Sequence, residues 1–175
     1  MEFNFTIIHM KVKLILFSEK HLPASRRWLN NKEFCRLFGR VYRPLSIKSQ
    51  KDWYFKLKKD KTQLIFAIEV DDIYIGNIGL KNIDYQNKKA EYYIFIGSKN
   101  YRGKGVGKIS SRKFFAYLKK NLKIHKIYLQ VDQTNIAARK LYDKLGFKEE
   151  GILKDELLRG GKYRTIIRMA YFFKL

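Results

Sequence analysis

The chain has a single cysteine, two prolines and no apolar run close to the ~20 residues that a membrane span needs. Cys35 cannot form a disulfide within the chain, which excludes a disulfide-stabilised secreted scaffold. Near the N terminus, no apolar segment is followed by a small-residue cleavage site, so we expect no secretory signal. These absences predict a soluble domain of the reducing cytoplasm that does not insert into a membrane.

Acidic residues are also scarce, because 38 Lys+Arg stand against 16 Asp+Glu and the formal net charge is +22. The aromatic content of 15% and the apolar content of 46% exclude a disordered basic tail. No linker or repeat divides residues 1–175, a length that suits one domain with one core. Residues 99–126 carry ten basic and no acidic side chains, which calls for an anionic ligand or partner.

Alternating and helical hydrophobic patterns predict the order β-α-α-β-β-β-α-β-α-β-β. The strands are expected at 11–17, 64–70, 73–80, 90–96, 127–131, 147–154 and 165–173, and the helices at 23–38, 46–57, 106–122 and 135–145. The Asp71-Asp72 pair predicts a hairpin turn, and Gly146 predicts a helix C-cap. The order indicates an α/β (α+β) fold in which helices pack on a mixed sheet.

A glycine-rich loop, Tyr101-Arg102-Gly103-Lys104-Gly105-Val106-Gly107, joins the predicted strand 90–96 to the predicted helix 106–122. Its glycines allow positive φ and let backbone N–H groups approach a ligand. Together with the positive end of the helix dipole, these groups predict a pyrophosphate cradle with Arg102 and Lys104 at its rim. The dinucleotide pattern G-x-G-x-x-G and the P-loop pattern are absent, and a tight turn without a ligand is the alternative.

Two motifs in this region resemble the GNAT superfamily of acyl-CoA-dependent N-acetyltransferases. Arg102-x-x-Gly105-x-Gly107 matches the family loop, in which Gln or Arg precedes x-x-Gly-x and then Gly or Ala. The second element is Asn135-x-x-Ala138-x-x-Leu141-Tyr142-x-x-Leu145-Gly146-Phe147. The resemblance covers residues 64–171 well and the first sixty residues more weakly. It implies a GNAT fold, a mixed and mostly antiparallel central sheet with helices on both faces.

For the coenzyme, the resemblance implies acetyl-CoA as co-substrate. The main chain of Ile94, Phe95 and Ile96 would bind the pantetheine arm like an added strand. The pyrophosphate would be held by the loop residues Arg102, Gly103, Lys104, Gly105, Val106 and Gly107. Asn135 occupies a position of polar contact with the coenzyme, while its other interpretation, which does not exclude the first, is a helix N-cap.

For catalysis, the resemblance assigns Tyr142 as the general acid that protonates the leaving thiolate. A core aromatic residue on an amphipathic helix is the alternative interpretation. Glu91 is the candidate base, acting through water on an amine whose pKa is about 8 to 10. A surface ion pair with Lys88 or Lys89 is the other interpretation of Glu91, and water alone serves as the base in some family members.

The expected reaction is acetyl transfer to the primary amine of a small molecule by direct attack in a ternary complex. Residues 27–31 and 44–46, together with Trp53, resemble a branch that contains nucleotide-amino-sugar and ribosomal-protein-type N-terminal acetyltransferases. A charge of +22 disfavours polyamines, so we expect a phosphate-bearing acceptor such as a nucleotide-linked amino sugar. A protein N terminus at the ribosome is the alternative, since RNA attracts a basic enzyme.

A non-catalytic nucleic-acid-binding module is a competing class that rests on charge alone, because no helix-turn-helix, zinc-finger or RNP signature is present. Cys35 lacks a paired histidine and is interpreted as a buried thiol. The histidines have no metal-ligand spacing, so no metal is expected: His9, His21 and His125. Met10 opens the part that resembles family members, so residues 1–9 are a candidate extension. The oligomeric state, a homodimer included, is left open.

Overall fold

The computed structural model describes residues 10–174, and the expected extension 1–9 lies outside them. The strands are β1 (Val12–Leu16), β2 (Leu64–Val70), β3 (Ile73–Asp84), β4 (Lys89–Ile96), β5 (Lys126–Asp132), β6 (Lys148–Arg159) and β7 (Lys162–Phe172). The helices are α1 (Leu22–Leu29), α2 (Lys32–Leu37), α3 (Ile47–Lys59), α4 (Val106–Asn121) and α5 (Ile136–Leu145). None of these helices is long and apolar enough to cross a bilayer.

The strands form one sheet in the order β1-β2-β3-β4-β5-β7-β6, in which β4 and β5 are parallel and all other neighbours are antiparallel. Alternation along β2 separates the two faces. Ile68 belongs to the larger core, to which α4 and α5 contribute, whereas Ala67 packs with Leu22 of α1 and Tyr54 of α3. The expected mixed sheet with helices on both faces is therefore confirmed.

The pairing between β4 and β5 is short. It begins at Lys89 and Lys126 and stops after three pairs, at Glu91 and Tyr128. Both strands continue, β4 to Ile96 and β5 to Asp132, so they diverge. We call the opening between them the notch. Backbone groups of β4 that point into the notch have no strand partner, and such groups need another hydrogen-bonding partner when water is excluded.

The predicted helix 23–38 is two helices, which is a correction. The side chain of Asn31 accepts a hydrogen bond of 2.8 Å from the backbone N–H of Phe34 and so begins α2. The side-chain amide of Asn30 is bonded to both the N–H and the carbonyl of Leu45, at 2.7 and 3.0 Å. Asparagine favours caps over helix interiors because its side chain competes for backbone groups. The chain therefore turns at this pair and α2 starts in a new direction.

The hairpin of β6 and β7 is longer than predicted, since the strands meet at Arg159 and Lys162 instead of ending at 154 and 165. Gly160 and Gly161 form the turn with φ of +56° and +72°. Positive φ at both central residues matches the right-handed twist of the strands, so this glycine pair was a readable hairpin signal. The predicted hairpin at Asp71-Asp72 is confirmed.

A buried hydrogen-bond chain links β4 to the first turns of α4. The Tyr92 hydroxyl lies 2.7 Å from Oγ of Ser111, and the Ser111 hydroxyl donates to the Gly107 carbonyl at 2.6 Å. Because the single Ser111 proton is used in this way, the Tyr92 hydroxyl is the donor in the first bond. Burial raises the pKa of Tyr92, which keeps its proton in place.

The donor and acceptor order in this hydrogen-bond chain predicts that removing the Ser111 hydroxyl and removing the Tyr92 hydroxyl will lower stability by unequal amounts. Ser111→Ala leaves the buried Tyr92 hydroxyl unpartnered and should lower the free energy of unfolding by about 1–3 kcal/mol. Tyr92→Phe leaves Ser111 bonded to Gly107 and should cost about 0.5–1.5 kcal/mol. Urea unfolding of both variants measures the difference, and the double variant should be less destabilised than the sum of the two. The opposite order would mean that the assigned donor is wrong.

Candidate active site

The loop before α4 has the backbone conformation that its glycines predict. Gly103 and Gly105 have φ of +73° and +79°, and Gly105 is the N-cap of α4. A Cβ placed on either glycine would meet nothing within 4 Å, so both face open space. Since Gly105 has no side chain to cap the helix, the first N–H groups of α4 are available to an anionic ligand.

The last two residues of the loop face inward instead. Val106 is 1% exposed and belongs to the main core. A Cβ on Gly107 would lie 3.3 Å from Leu141 of α5 and 4.0 Å from Ile94 of β4. Gly107 therefore lets α4 approach α5 and the edge of the notch. The predicted cradle divides into an open part, 103–105, and a packed part, 106–107.

Arg102 does not point to the rim of this cradle, which differs from the expectation. Its Nε donates to the carbonyl of Ile96 and a terminal nitrogen donates to that of Gly97, both at 2.8 Å. The guanidinium also lies 5.9 and 5.5 Å from the ring centres of Phe34 and Phe38. The Ile96 carbonyl at the end of β4 is available to Arg102 because the diverging strand β5 does not reach it. The other expected rim cation, Lys104, is exposed.

The residues predicted to line the pantetheine site form the β4 wall of the notch. Ile94 and Ile96 pack on the main core, whereas Phe95 lies on the face covered by α1–α3. Their backbone belongs to the segment of β4 that runs beyond the last pair with β5. Asn135 has the N-cap role, since its Oδ1 accepts from the Ala138 N–H at 3.1 Å. Its contact with a coenzyme stays a prediction.

Tyr142 lies on α5, on the core side of the notch. Its half-buried ring packs against Phe147 and Tyr92, with ring centres 5.6 and 6.4 Å away. Within residues 10–174, its hydroxyl makes no hydrogen bond. Burial raises the pKa of Tyr142 to about 12 because the phenolate is poorly solvated there. The group is therefore a neutral phenol near pH 7, which can donate a proton.

Glu91 lies at the closed end of the notch, on the opposite face of the sheet from Tyr142. One carboxylate oxygen is 2.8 Å from Nζ of Lys81, and the other accepts a hydrogen bond of 3.0 Å from the side chain of Asn82. An ion pair was one of the two expected interpretations, but its partner is Lys81 of β3 and not Lys88 or Lys89. The cross-strand register, which places Lys81 opposite Glu91, explains this choice.

A pocket of about 420 Å³ opens beside the end of β4, on the side of α1 and α2. Its lining includes Arg27, Trp28, Phe34, Gly97, Lys99 and Arg102. Trp28 lies directly against the Gly97 backbone, where an added Cβ would be 2.1 Å from the indole ring. Sequence reasoning did not single out Gly97, although a glycine after an aromatic strand can indicate such a close approach.

A mixed sheet that opens between two parallel strands, with a glycine-rich helix start beside the opening, defines the class of GNAT folds. The chain belongs to the GNAT acetyltransferase family: the family model "Acetyltransferase (GNAT) domain" matches residues 11–148. The resemblance found in the two sequence motifs is thereby confirmed.

Several acetyltransferases are similar to this chain in sequence or in structure. The spermidine N(1)-acetyltransferase of Escherichia coli K12 is 36% identical over 121 residues, which cover 69% of this chain and 64% of that protein. A putative ribosomal N-acetyltransferase of Bacillus subtilis is 28% identical over 127 residues, which cover 73% and 67% of the two chains. Spermidine N-acetyltransferase of Vibrio cholerae, solved with CoA and spermine, superposes with a TM-score of 0.86 at 28% identity and covers 92% of this chain and 95% of that one.

The conformation of Gly105 predicts a specific loss. Gly105→Ala forces an L residue to φ of +79°, which costs about 1–2 kcal/mol and shifts the N–H groups of α4. We expect the dissociation constant for CoA, measured by calorimetry, to rise roughly 5- to 30-fold. Gly151→Ala is the control, because Gly151 also faces open space but has no positive φ. Unchanged CoA binding in the Gly105 variant would contradict the loop assignment.

Proposed function

We propose that this protein transfers the acetyl group of acetyl-CoA to the primary amine of a small molecule, by direct attack in a ternary complex. The observation that carries the proposal is the notch beside the open N terminus of α4. The unpaired edge of β4 offers hydrogen bonds to the pantetheine amides, and the backbone at 103–105 offers N–H groups to the pyrophosphate. The CoA bound by the Vibrio cholerae neighbour supports this use of the fold.

In the proposed reaction the amine nitrogen attacks the thioester carbonyl, so that an N–C bond forms and the C–S bond breaks. Tyr142 donates its proton to the leaving thiolate, a role that suits a phenol with a pKa of about 12. The proton lost by the amine leaves through water at the closed end of the notch. Glu91 would hold this water, and Lys81 and Asn82 fix the position of its carboxylate.

Two chemistries compete for the acceptor. Similarity favours a polyamine, since the Escherichia coli and Vibrio cholerae relatives are spermidine acetyltransferases. This runs against the expectation from net charge, and none of the relatives named above is an amino-sugar acetyltransferase by name. Charge still favours an anionic acceptor, because the carboxylates Glu33 and Glu91 are both engaged with lysines, at 2.7 and 2.8 Å. A polyamine would have to displace these cations.

The proposal is tested by following CoA thiol release with three acceptors: spermidine, a nucleotide-linked amino sugar, and a peptide with a ribosomal-protein N terminus. Turnover with any of them, confirmed by the acetylated mass, supports acetyl transfer and identifies the acceptor. CoA binding without turnover on any primary amine would contradict the proposed activity. Binding of nucleic acid with no binding of CoA would favour the competing class.

Tyr142→Phe should lower kcat about 100-fold or more, the size expected for loss of a general acid. The dissociation constant for CoA should stay within about twofold, since the ring and its packing remain. Tyr117→Phe is the matched control, because Tyr117 is also a half-buried tyrosine but lies on α4 against Phe66. In the unmutated protein, kcat should not fall between pH 7 and 10 through deprotonation of Tyr142, because its pKa is about 12. An unchanged kcat removes Tyr142 from the mechanism.

A further inference from the structure

The 420 Å³ pocket beside β4 carries an unbalanced positive charge. Arg27, Lys99 and Arg102 line it, and none of the nine residues in its wall is acidic. The carboxylate of Glu33 lies beside it but is bound to Lys99 at 2.7 Å. That hydrogen bond is the main cause of a lowered pKa of Glu33, so the group stays ionised and engaged. Arg27 makes no ion pair within residues 10–174.

The same pocket has aromatic walls. Trp28 packs against Gly97 at the end of β4, and Phe34 is 4% exposed. Both rings contact Phe95, with ring centres 6.4 and 5.5 Å away, on the α1–α3 face of the sheet. A volume of about 420 Å³ lies in the ~300–1,000 Å³ range of small-molecule sites. Rings and cations together are suited to a ligand that contains a planar ring and a phosphate.

The pocket is separate from the predicted pyrophosphate cradle. Its wall contains residues 97–100 and the side chain of Arg102, but none of the residues 103–107. Arg102 lies between the two sites and turns toward the pocket, because its guanidinium is held by the carbonyls of Ile96 and Gly97. A ligand in this pocket would lie at the open end of the notch and could extend along β4 toward Glu91.

We propose that this pocket binds the nucleoside phosphate part of the amine acceptor, with the base against Trp28 and the phosphate at Arg27. This inference rests on the proposed acetyl transfer and specifies its acceptor class. The amine would be the far end of the ligand, which would lie on the α1–α3 face of β4 and leave the notch to the pantetheine arm. Because Lys99 is paired with Glu33, the charges of Arg27 and Arg102 are the ones that disfavour a polyamine in the same place.

The test uses protein saturated with CoA, so that the coenzyme site is filled, in a Trp53→Phe background in which Trp28 is the one remaining tryptophan. Uridine, cytidine, guanosine and thymidine diphosphates are titrated, and binding is followed by calorimetry and by tryptophan fluorescence. We expect at least one of them to bind and quench Trp28. Arg27→Gln should then raise its dissociation constant at least fivefold and raise KM for a nucleotide-linked acceptor without lowering kcat.

Arg26→Gln is the matched control, since Arg26 precedes Arg27 on α1 but lines a different pocket, of about 260 Å³. It should leave nucleotide binding within twofold. Equal losses in both variants would show unspecific charge attraction and overturn the proposal. The proposal would also be overturned if no nucleotide bound, or if nucleotides bound only in the absence of CoA. Quenching of Trp28 fluorescence by spermidine would overturn it as well.

The pocket and the proposed activity can fail separately. If a nucleotide binds at Trp28 but no amine is acetylated, the pocket assignment stands and the acetyl transfer is wrong. If spermidine is acetylated while every diphosphate fails to bind, the acetyl transfer stands and the pocket assignment is wrong.

Discussion

The early end of pairing between β4 and β5 is the constraint on which the rest of the site depends. A parallel ladder along the full length of both strands would satisfy the backbone groups of residues 92–96 that do not pair with β3, and it would close the sheet. Because the ladder stops at Glu91 and Tyr128, that edge needs hydrogen-bonding partners from elsewhere. Arg102 bonds the carbonyl of Ile96, the last residue of β4, and that of Gly97 just beyond it, and an extended ligand can bond the remaining free groups. The glycine loop and the start of α4 lie beside this edge because β4 leads directly into them.

The lysines and arginines of the chain neutralise several of its few carboxylates. Several carboxylates are engaged by cations: Glu33 by Lys99, Glu91 by Lys81, and Glu150 by Lys126 and Arg168. Such pairs contribute little to stability when exposed, but they remove anionic groups that a polycation would need. Overall similarity and local charge therefore favour different acceptors. Similarity reports mainly on the shared scaffold, whereas the acceptor is recognised by a few side chains.

The features that could be predicted from the sequence are those formed by residues that are close together along the chain. The glycine loop and the segment 135–147 are contiguous, so spacing and backbone chemistry were enough to place them, and the fold followed from the resemblance. The direction of Arg102 was not readable, because it depends on carbonyls that become free only when two distant strands diverge. The partner of Glu91 depended on the register of β3, which shifts after Lys81, where Asn82 has φ of +52°. By contrast, the break at Asn30-Asn31 was a capping signal that helical periodicity concealed.

The contacts of Arg102 limit which segments of this domain can be exchanged with those of a relative. Its guanidinium joins the loop beside the coenzyme cradle to the aromatic residues of α2, so these two parts are not independent modules. A chimera that imported residues 32–38 from a relative without Phe34 and Phe38 would leave Arg102 without its aromatic neighbours. Exchange of acceptor specificity between relatives would therefore require the helix and this arginine to be transferred together.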